Sequence, residues 1–249
     1  MMEGNMISVV IPCYNCAKYV KQAIDSVLAQ EIEAEIILVN DGSTDEIDMV
    51  IEPYLKRGNV RYIKNIKNQG VAKSRNIGVK EAKGNFIAFL DADDWWDERK
   101  LTMQMEFITK RDVAFCFTAR KLWMENINEF GKVIQAPKKV TYDKLLKNNC
   151  IPCSSVLIRR EVLLAYPVMG EDIHEDYLLW LNILKDGLIA YGINEPLVFY
   201  RVRKKSRSSC KVKTLKKNYD LYRYVGMGKV KSVKYSLLNA IIGVLKYYF

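Results

Sequence analysis

Four short apolar runs in the first part of the chain each stop abruptly on polar residues. Ile7–Ile11 is β-branched and ends at Pro12, and Glu35–Val39 ends at Asn40-Asp41-Gly42. Val60–Ile63 is the third run, and the wholly apolar Phe86–Leu90 enters Asp91 directly. Between them the period changes. Ala17–Leu28 sets Tyr19, Val20, Ala23, Ile24, Val27 and Leu28 at helical spacing, a second helical segment reaches Leu55, and a third spans about Val71–Ala82. Short strands apolar on both faces, alternating with helices, predict an α/β fold with a mostly parallel, Rossmann-like central sheet covered on both sides. Phe86–Leu90 is its expected central strand. Such sheets bind ligands beyond the carboxyl ends of their strands.

The polar residues fall at those ends. Tyr14 and Asn15 follow the first strand; Asp41, Gly42 and Ser43 the second; Asp91, Asp93 and Asp94 the fourth. Any one of these groups reads adequately as a turn or a helix cap. All three together deliver carboxylates and amides to one sheet edge. Asp91-Ala92-Asp93-Asp94 says most, because three carboxylates so close repel one another unless a cation is near. A divalent ion held by one or two carboxylates, with phosphate oxygens and water as its other ligands, is the usual magnesium arrangement.

The second half is less regular. Asp112–Thr118 and Ser154–Ile158 read as strands, Thr141–Asn148 as a short helix and Asp176–Leu184 as an apolar helix. Ile189–Tyr200 carries strand-like segments around Pro196.

Several classes are excluded. With 249 residues, 49% of them hydrophobic, the chain can build a large core without disulfide staples and is not disordered. The N-terminus lacks the basic and long apolar regions of a secretory signal, so the expected setting is cytoplasmic. The six cysteines (13, 16, 116, 150, 153, 210) are then expected as thiols. Two CxxC pairs invite zinc, but they lie far apart and the chain has one histidine, His174, so Cys13 and Cys153 read as small buried hydrophobes. There is no GxGxxG and no P-loop sequence. Ser154-Ser155 has no histidine pattern for a hydrolase triad.

Taken in order, Val9-Val10-Ile11-Pro12-Cys13-Tyr14-Asn15, Asn40-Asp41-Gly42-Ser43-Thr44-Asp45, Asn68-Gln69-Gly70 with Ser74-Arg75-Asn76, Phe89-Leu90-Asp91-Ala92-Asp93-Asp94, and Glu175-Asp176 before a Trp-bearing helix resemble a family 2 glycosyltransferase of the GT-A fold. The resemblance covers roughly residues 6–200. It implies inverting transfer of a sugar from a nucleotide-diphosphate sugar, UDP-linked, to an acceptor hydroxyl in surface polysaccharide or glycolipid assembly. Pro12, Tyr14, Asn15 and Ala92 would line the nucleotide-sugar pocket, Asp41 would hydrogen-bond the base, and Arg75 would approach the nucleotide or its phosphates. Asp91 and Asp93 match the DxD motif, the first near the ribose and the second on a divalent metal, Mn²⁺ or Mg²⁺. Asp176 matches the catalytic base, while Glu175 reads as a favourable acid at a helix N-terminus. Many relatives carry a histidine two residues after a Tyr-Arg pair; here Tyr200-Arg201 leads to Arg203, which cannot ligate a cation. A nucleotidyltransferase with a related sheet and paired aspartates is the nearest enzyme alternative.

The expected organisation is a catalytic domain over 1–205, with a nucleotide-sugar half (1–98) and an acceptor half (99–205), and a basic helical extension over 206–249. The net charge of +10 resolves along this boundary. Residues 201–249 hold 14 Lys and Arg against one acid, Asp220, leaving 25 basic and 28 acidic residues in the first 200. Tyr219, Tyr222, Tyr224 and Tyr235 interleave the charges, as in a nucleic-acid-binding module. The apolar run Leu237–Leu245 and the terminal Lys246-Tyr247-Tyr248-Phe249 fit an interfacial helix on an anionic membrane better. At about 20 residues needed to span, the run is too short to cross a bilayer. A helix packed on the catalytic body, or at an oligomer interface, is the other reading.

Overall fold

A computed structural model describes residues 6–168, 173–203 and 211–248. The strands are β1 (Ile7–Cys13), β2 (Ala34–Asn40), β3 (Val60–Lys64), β4 (Phe86–Phe89), β5 (Trp95–Trp96), β6 (Phe115–Met124), β7 (Glu129–Ile134), β8 (Lys139–Val140), β9 (Val156–Arg159) and β10 (Ala190–Val202). The helices are α1 (Ala17–Leu28), α2 (Ile47–Ile51), α3 (Val71–Glu81), α4 (Lys100–Arg111), α5 (Tyr142–Lys147), α6 (Arg160–Ala165), α7 (Glu175–Lys185), α8 (Lys211–Tyr224) and α9 (Lys229–Tyr248).

All the strands join one sheet, ordered β3-β2-β1-β4-β9-β6-β10-β5, with β7 on β6 and β8 on β10. From β3 to β4 every pairing is parallel, with Ile7 opposite Ala34 on one side and Phe86 on the other. These four strands are the apolar runs of the sequence, and β4 lies mid-sheet. Beyond β4 the sheet is mixed. β9 runs antiparallel to both β4 and β6, whereas β10 is parallel to β6. The two segments around Pro196 form the single long strand β10, whose register against β6 slips on either side of that proline, where one ladder N–H is missing.

Alternate residues of a strand face opposite sides. Val10, Ile37 and Val39 therefore enter one core layer with Phe89, Phe115 and Trp180, while Val9, Ile11, Ile36 and Leu38 enter the other with Leu90 and Trp96. α3 lies very close to β1. A Cβ on Gly78 would sit 2.3 Å from Val10 Cγ1, so only glycine fits that crossing. α4 is unheralded in the sequence because its buried face carries Lys100 and Gln104 as well as Leu101, Met105 and Ile108. Asp112 belongs to the end of that helix, in the left-handed region with φ 46°, and the strand after it starts at Phe115.

The C-terminal segment is a helical hairpin docked on α5 and α7. Leu221 and Tyr222 are fully buried. The Tyr222 hydroxyl donates to Leu146 O at 2.7 Å, Tyr177 donates to Leu145 O at 2.8 Å, and Asn239 donates to both hydroxyls at 3.0 and 3.2 Å. Packing on the body thus accounts for α8 and one face of α9. The opposite face of α9 exposes Val230, Val233, Leu237, Ile241 and Leu245. No helix among the described residues is long and apolar enough to cross a membrane.

Candidate active site

A cavity of about 440 Å³ opens at the carboxyl ends of β1, β2 and β4. Pro12, Tyr14, Asn15, Asp41, Asp91, Ala92 and Asp93 all line it, as do Tyr19, Gly70 and Arg203. Arg75 and Asp176, also expected at the site, are not among its lining residues, although Arg75 pairs with Asp91.

Its floor is tied together by local hydrogen bonds. Asn15, with φ 48°, accepts Thr44 N at 2.8 Å on its side-chain oxygen, while its backbone N donates to Ser43 Oγ at 3.0 Å. Asp45 Oδ2 accepts Ala17 N at 2.7 Å, capping the start of α1. Asp41 is buried, and its carboxylate accepts Asn65 Nδ2 (2.8 Å), Gln69 N (2.9 Å) and Gly70 N (2.8 Å). The residue read as a base contact is therefore also the anchor of the 65–70 loop. Gly42 closes the junction: at φ +68°, any Cβ would lie 2.7 Å from the Lys67 carbonyl carbon.

The acidic string divides its labour. Asp94 is buried and turns away from the cavity, accepting Ser154 Oγ at 2.7 Å and Arg201 N at 3.0 Å. Burial, reinforced by Asp93 and Asp91, holds its pKa well above the ordinary value. Ser154 also accepts Asp91 N at 3.1 Å, and Arg201 Nε donates to Asp93 O at 2.8 Å. The loop is clamped from the turn before β9 and from β10, leaving Asp91 and Asp93 facing the cavity. Burial and the neighbouring Asp91 raise the pKa of Asp93, and Arg203, ion-paired to its Oδ2, opposes that shift.

Arg75 is a buried strut. Its NH2 meets Asp91 Oδ1 at 2.8 Å, its NH1 meets Glu175 Oε1 at 3.2 Å, and its guanidinium lies 5.9 Å from the Phe89 ring centroid. This links the DxD loop to the first turn of α7, where Glu175 serves as the partner of Arg75 in addition to being a helix-terminal acid. Asp176, next along, accepts Tyr177 N at 2.7 Å. Burial, then the like charge of Glu175, pushes its pKa up to about 7 against the pull of Arg75. A carboxylate poised there suits proton abstraction near neutral pH.

Among the described residues no cluster of three or more His, Cys, Asp or Glu forms a metal site by itself. Asp91 and Asp93 fit an ion whose remaining ligands arrive on a diphosphate. The five described cysteines are buried free thiols, and His174 sits at the N-cap position of α7; Cys210 lies outside the described residues.

The open sheet and the cavity at its strand ends have the arrangement that the GT-A resemblance implies. The family described as Glycosyl transferase family 2 matches residues 8–165. TuaG of Bacillus subtilis (strain 168), a glycosyltransferase provisionally assigned to teichuronic acid biosynthesis, is 38% identical over 224 residues, covering 88% of each chain. WfgD of Escherichia coli, named a UDP-Glc:alpha-D-GlcNAc-diphosphoundecaprenol beta-1,3-glucosyltransferase, is 34% identical over 100% of this chain and 97% of its own. In fold, the chain resembles S. aureus TarS 1–349 in complex with UDP-GlcNAc, at TM-score 0.74 and 19% identity over 96% of this chain and 73% of that one. It also resembles the mannosyltransferase PcManGT from Pyrobaculum calidifontis in complex with GDP-Man and Mn²⁺, at TM-score 0.71 and 13% identity over 98% and 76%. The chain belongs to glycosyltransferase family 2 and is a glycosyltransferase with the GT-A fold.

Ser154 carries no site signal in the sequence, Arg201 appears there only as part of the Tyr-Arg pair before Arg203, and Glu175 only as a helix-terminal acid beside Asp176. Their partners Asp94, Asp93 and Arg75 lie 60, 108 and 100 residues away.

Proposed function

We propose that the chain is an inverting transferase that moves a sugar from a nucleoside-diphosphate sugar, UDP-linked, to a hydroxyl of a lipid-linked glycan in surface polysaccharide or glycolipid assembly. The observation that carries this reading is the chain of contacts from the strand-end cavity through Asp91, Arg75 and Glu175 to the first turn of α7. It joins a nucleotide-sized cavity to a carboxylate with a pKa near 7. Pro12, Tyr14, Asn15 and Asp41 hold the base, Asp91 and Ala92 face the ribose, and Asp93 faces the diphosphate. Residues 1–98 serve the donor, 99–205 the acceptor, and 206–249 form the extension.

In the transfer, the acceptor oxygen bonds to the anomeric carbon as the bond from that carbon to the β-phosphate oxygen breaks. The electron pair leaves with the nucleoside diphosphate, and the hydroxyl proton passes to Asp176. One base suffices; no second carboxylate acts as nucleophile, as it does in retaining glycosidases. Asp93, with Asp91, would hold a divalent ion, which would supply charge neutralisation for the leaving group. Arg75 keeps Asp91 and Glu175 in place, and the Ser154 and Arg201 clamp keeps the loop from spreading.

The E. coli relative's acceptor is a diphosphoundecaprenol, and α9 presents an apolar stripe from Val230 to Leu245 flanked by Lys229, Lys231 and Lys234. This supports peripheral attachment to an anionic membrane face, with the apolar side chains at the headgroup boundary. Two experiments test these readings. A panel of nucleotide sugars with a diphosphoundecaprenol-linked acceptor should release nucleoside diphosphate and form a β-configured product from an α-configured donor; pyrophosphate release or retained configuration overturns it. Flotation with phosphatidylglycerol vesicles should carry the wild type and not Leu237→Glu/Ile241→Glu; equal flotation overturns the attachment.

A further inference from the structure

Arg203 follows the end of β10 and reaches back into the donor cavity. Its guanidinium pairs with Asp93 Oδ2 and lies 5.1 Å from the Tyr19 ring centroid. Arg201, inside β10, also meets the DxD loop, but its groups hold the loop's own frame. Its Nε takes Asp93 O, its backbone N takes Asp94 Oδ1, and its NH2 takes Gln22 Oε1 at 2.6 Å. Arg203 alone of the two lines the cavity, with a third of its side chain exposed there.

Charge accounting shows what this cation does. Asp91 and Asp93 are matched by Arg75 and Arg203. Arg75 is shared with Glu175, whereas Arg203 faces Asp93 at the cavity, where a bound diphosphate adds further negative charge. A guanidinium stays protonated, carries five donors in a fixed fork, and pairs with phosphate through two parallel hydrogen bonds. One carboxylate oxygen takes up only part of that fork.

We infer that Arg203 is a built-in diphosphate-binding cation, bridging Asp93 to the β-phosphate so that nucleoside-diphosphate binding keeps a component independent of metal. The inference rests on the nucleotide-sugar reading of the cavity.

The test is calorimetric titration of UDP and UMP into full-length wild type, Arg203→Ala and Arg203→His, each in Mn²⁺ and in EDTA. Wild type should keep UDP affinity to within about tenfold when EDTA replaces Mn²⁺. In EDTA, Arg203→Ala should bind UDP at least about tenfold more weakly than wild type, the scale of one charge-assisted contact, with UMP affinity changed less than about twofold. Arg203→His should bind UDP well in Mn²⁺ and lose it in EDTA. Equal UDP affinity of wild type and Arg203→Ala in EDTA overturns the inference. So does a parallel loss of UMP and UDP, which would make Arg203 a merely structural group. Failure of wild type to bind UDP or GDP under either condition overturns the inference together with the donor reading beneath it. A wild type that binds UDP only with Mn²⁺ overturns the inference alone.

Discussion

The edge formed by β1, β2 and β3 and the edge formed by β4, α7 and β10 solve the same problem by different means. Both must hold carboxylates beside an anionic ligand. At the first edge, Asp41 is satisfied by Asn65 and two backbone N–H groups from a neighbouring loop, and Asn15 by Thr44, all neutral donors within 30 residues. At the second, charges meet charges across the chain: Asp91 with Arg75, Arg75 with Glu175, and Asp93 with Arg203. Neutral donors hold this receptacle without a partner charge. A chain of charges links its members across the chain, and that is the edge to which the proposed function assigns proton transfer and leaving-group stabilisation. The first edge is a mould and the second an electrostatic circuit.

The largest way to break the circuit is at its end. Asp176→Asn should lower turnover by about 10²–10⁴-fold, the usual worth of general base catalysis, with UDP affinity unchanged by calorimetry. The same change should stabilise the fold. The folded pKa of Asp176, about 7, lies above the ordinary carboxylate value, so the native state holds an extra proton in between. Wild-type stability should therefore decline as pH rises from about 4 to 7, and Asp176→Asn should remove that decline in thermal scans. Retained turnover would end the assignment.

One step inward, Glu175→Gln removes the like charge that, after burial, contributes most to raising Asp176. The acid limb of the turnover–pH profile should move to lower pH, while the UDP-binding profile stays in place. An unmoved limb would mean that another group titrates. At the mould, Asp41→Ala strands three donors. It should cost about 2–4 kcal/mol of stability and weaken UDP binding without shifting either pH limb. A shifted limb there would erase the distinction between the edges.

That distinction also explains what could be read from residues alone. The parallel strands and their polar ends were legible because strand period and turn chemistry are local. Pro12, Tyr14, Asn15, Asp41, Asp91, Ala92 and Asp93 do converge on one cavity. The circuit was not legible. Arg75 is expected from the resemblance to approach the nucleotide or its phosphates, but its ties to Asp91 and Glu175 span 16 and 100 residues and have no local signature. Asp94 looked like part of the same charge cluster and instead ties down Ser154 and the end of β10. The tail divided differently again: its apolar spacing was visible, but the Tyr177–Tyr222–Asn239 cluster that docks it depends on α7 being there.

The smallest predicted effect lies beneath the second edge, in α4. Lys100 is fully buried, donates to Gln104 Oε1 at 2.7 Å and sits 3.8 Å from the Trp96 ring centroid. Burial lowers its pKa to about 7, well under the ordinary lysine value. Between about pH 7 and 10 the unfolded chain therefore binds a proton that the native state does not, so this lysine makes stability rise with pH across that window. Lys100→Met should abolish that rise. The gain at pH 7 is partly offset, because Gln104 Oε1 loses its donor while Gln104 Nε2 keeps Ser155 O at 3.0 Å. A net change within about 1 kcal/mol, or 2–4 °C in melting temperature, is expected. Lys100→Met/Gln104→Leu removes the stranded acceptor and should melt higher than the single variant at pH 7. If both variants keep the wild-type rise between about pH 7 and 10, Lys100 is not its source and the assignment fails.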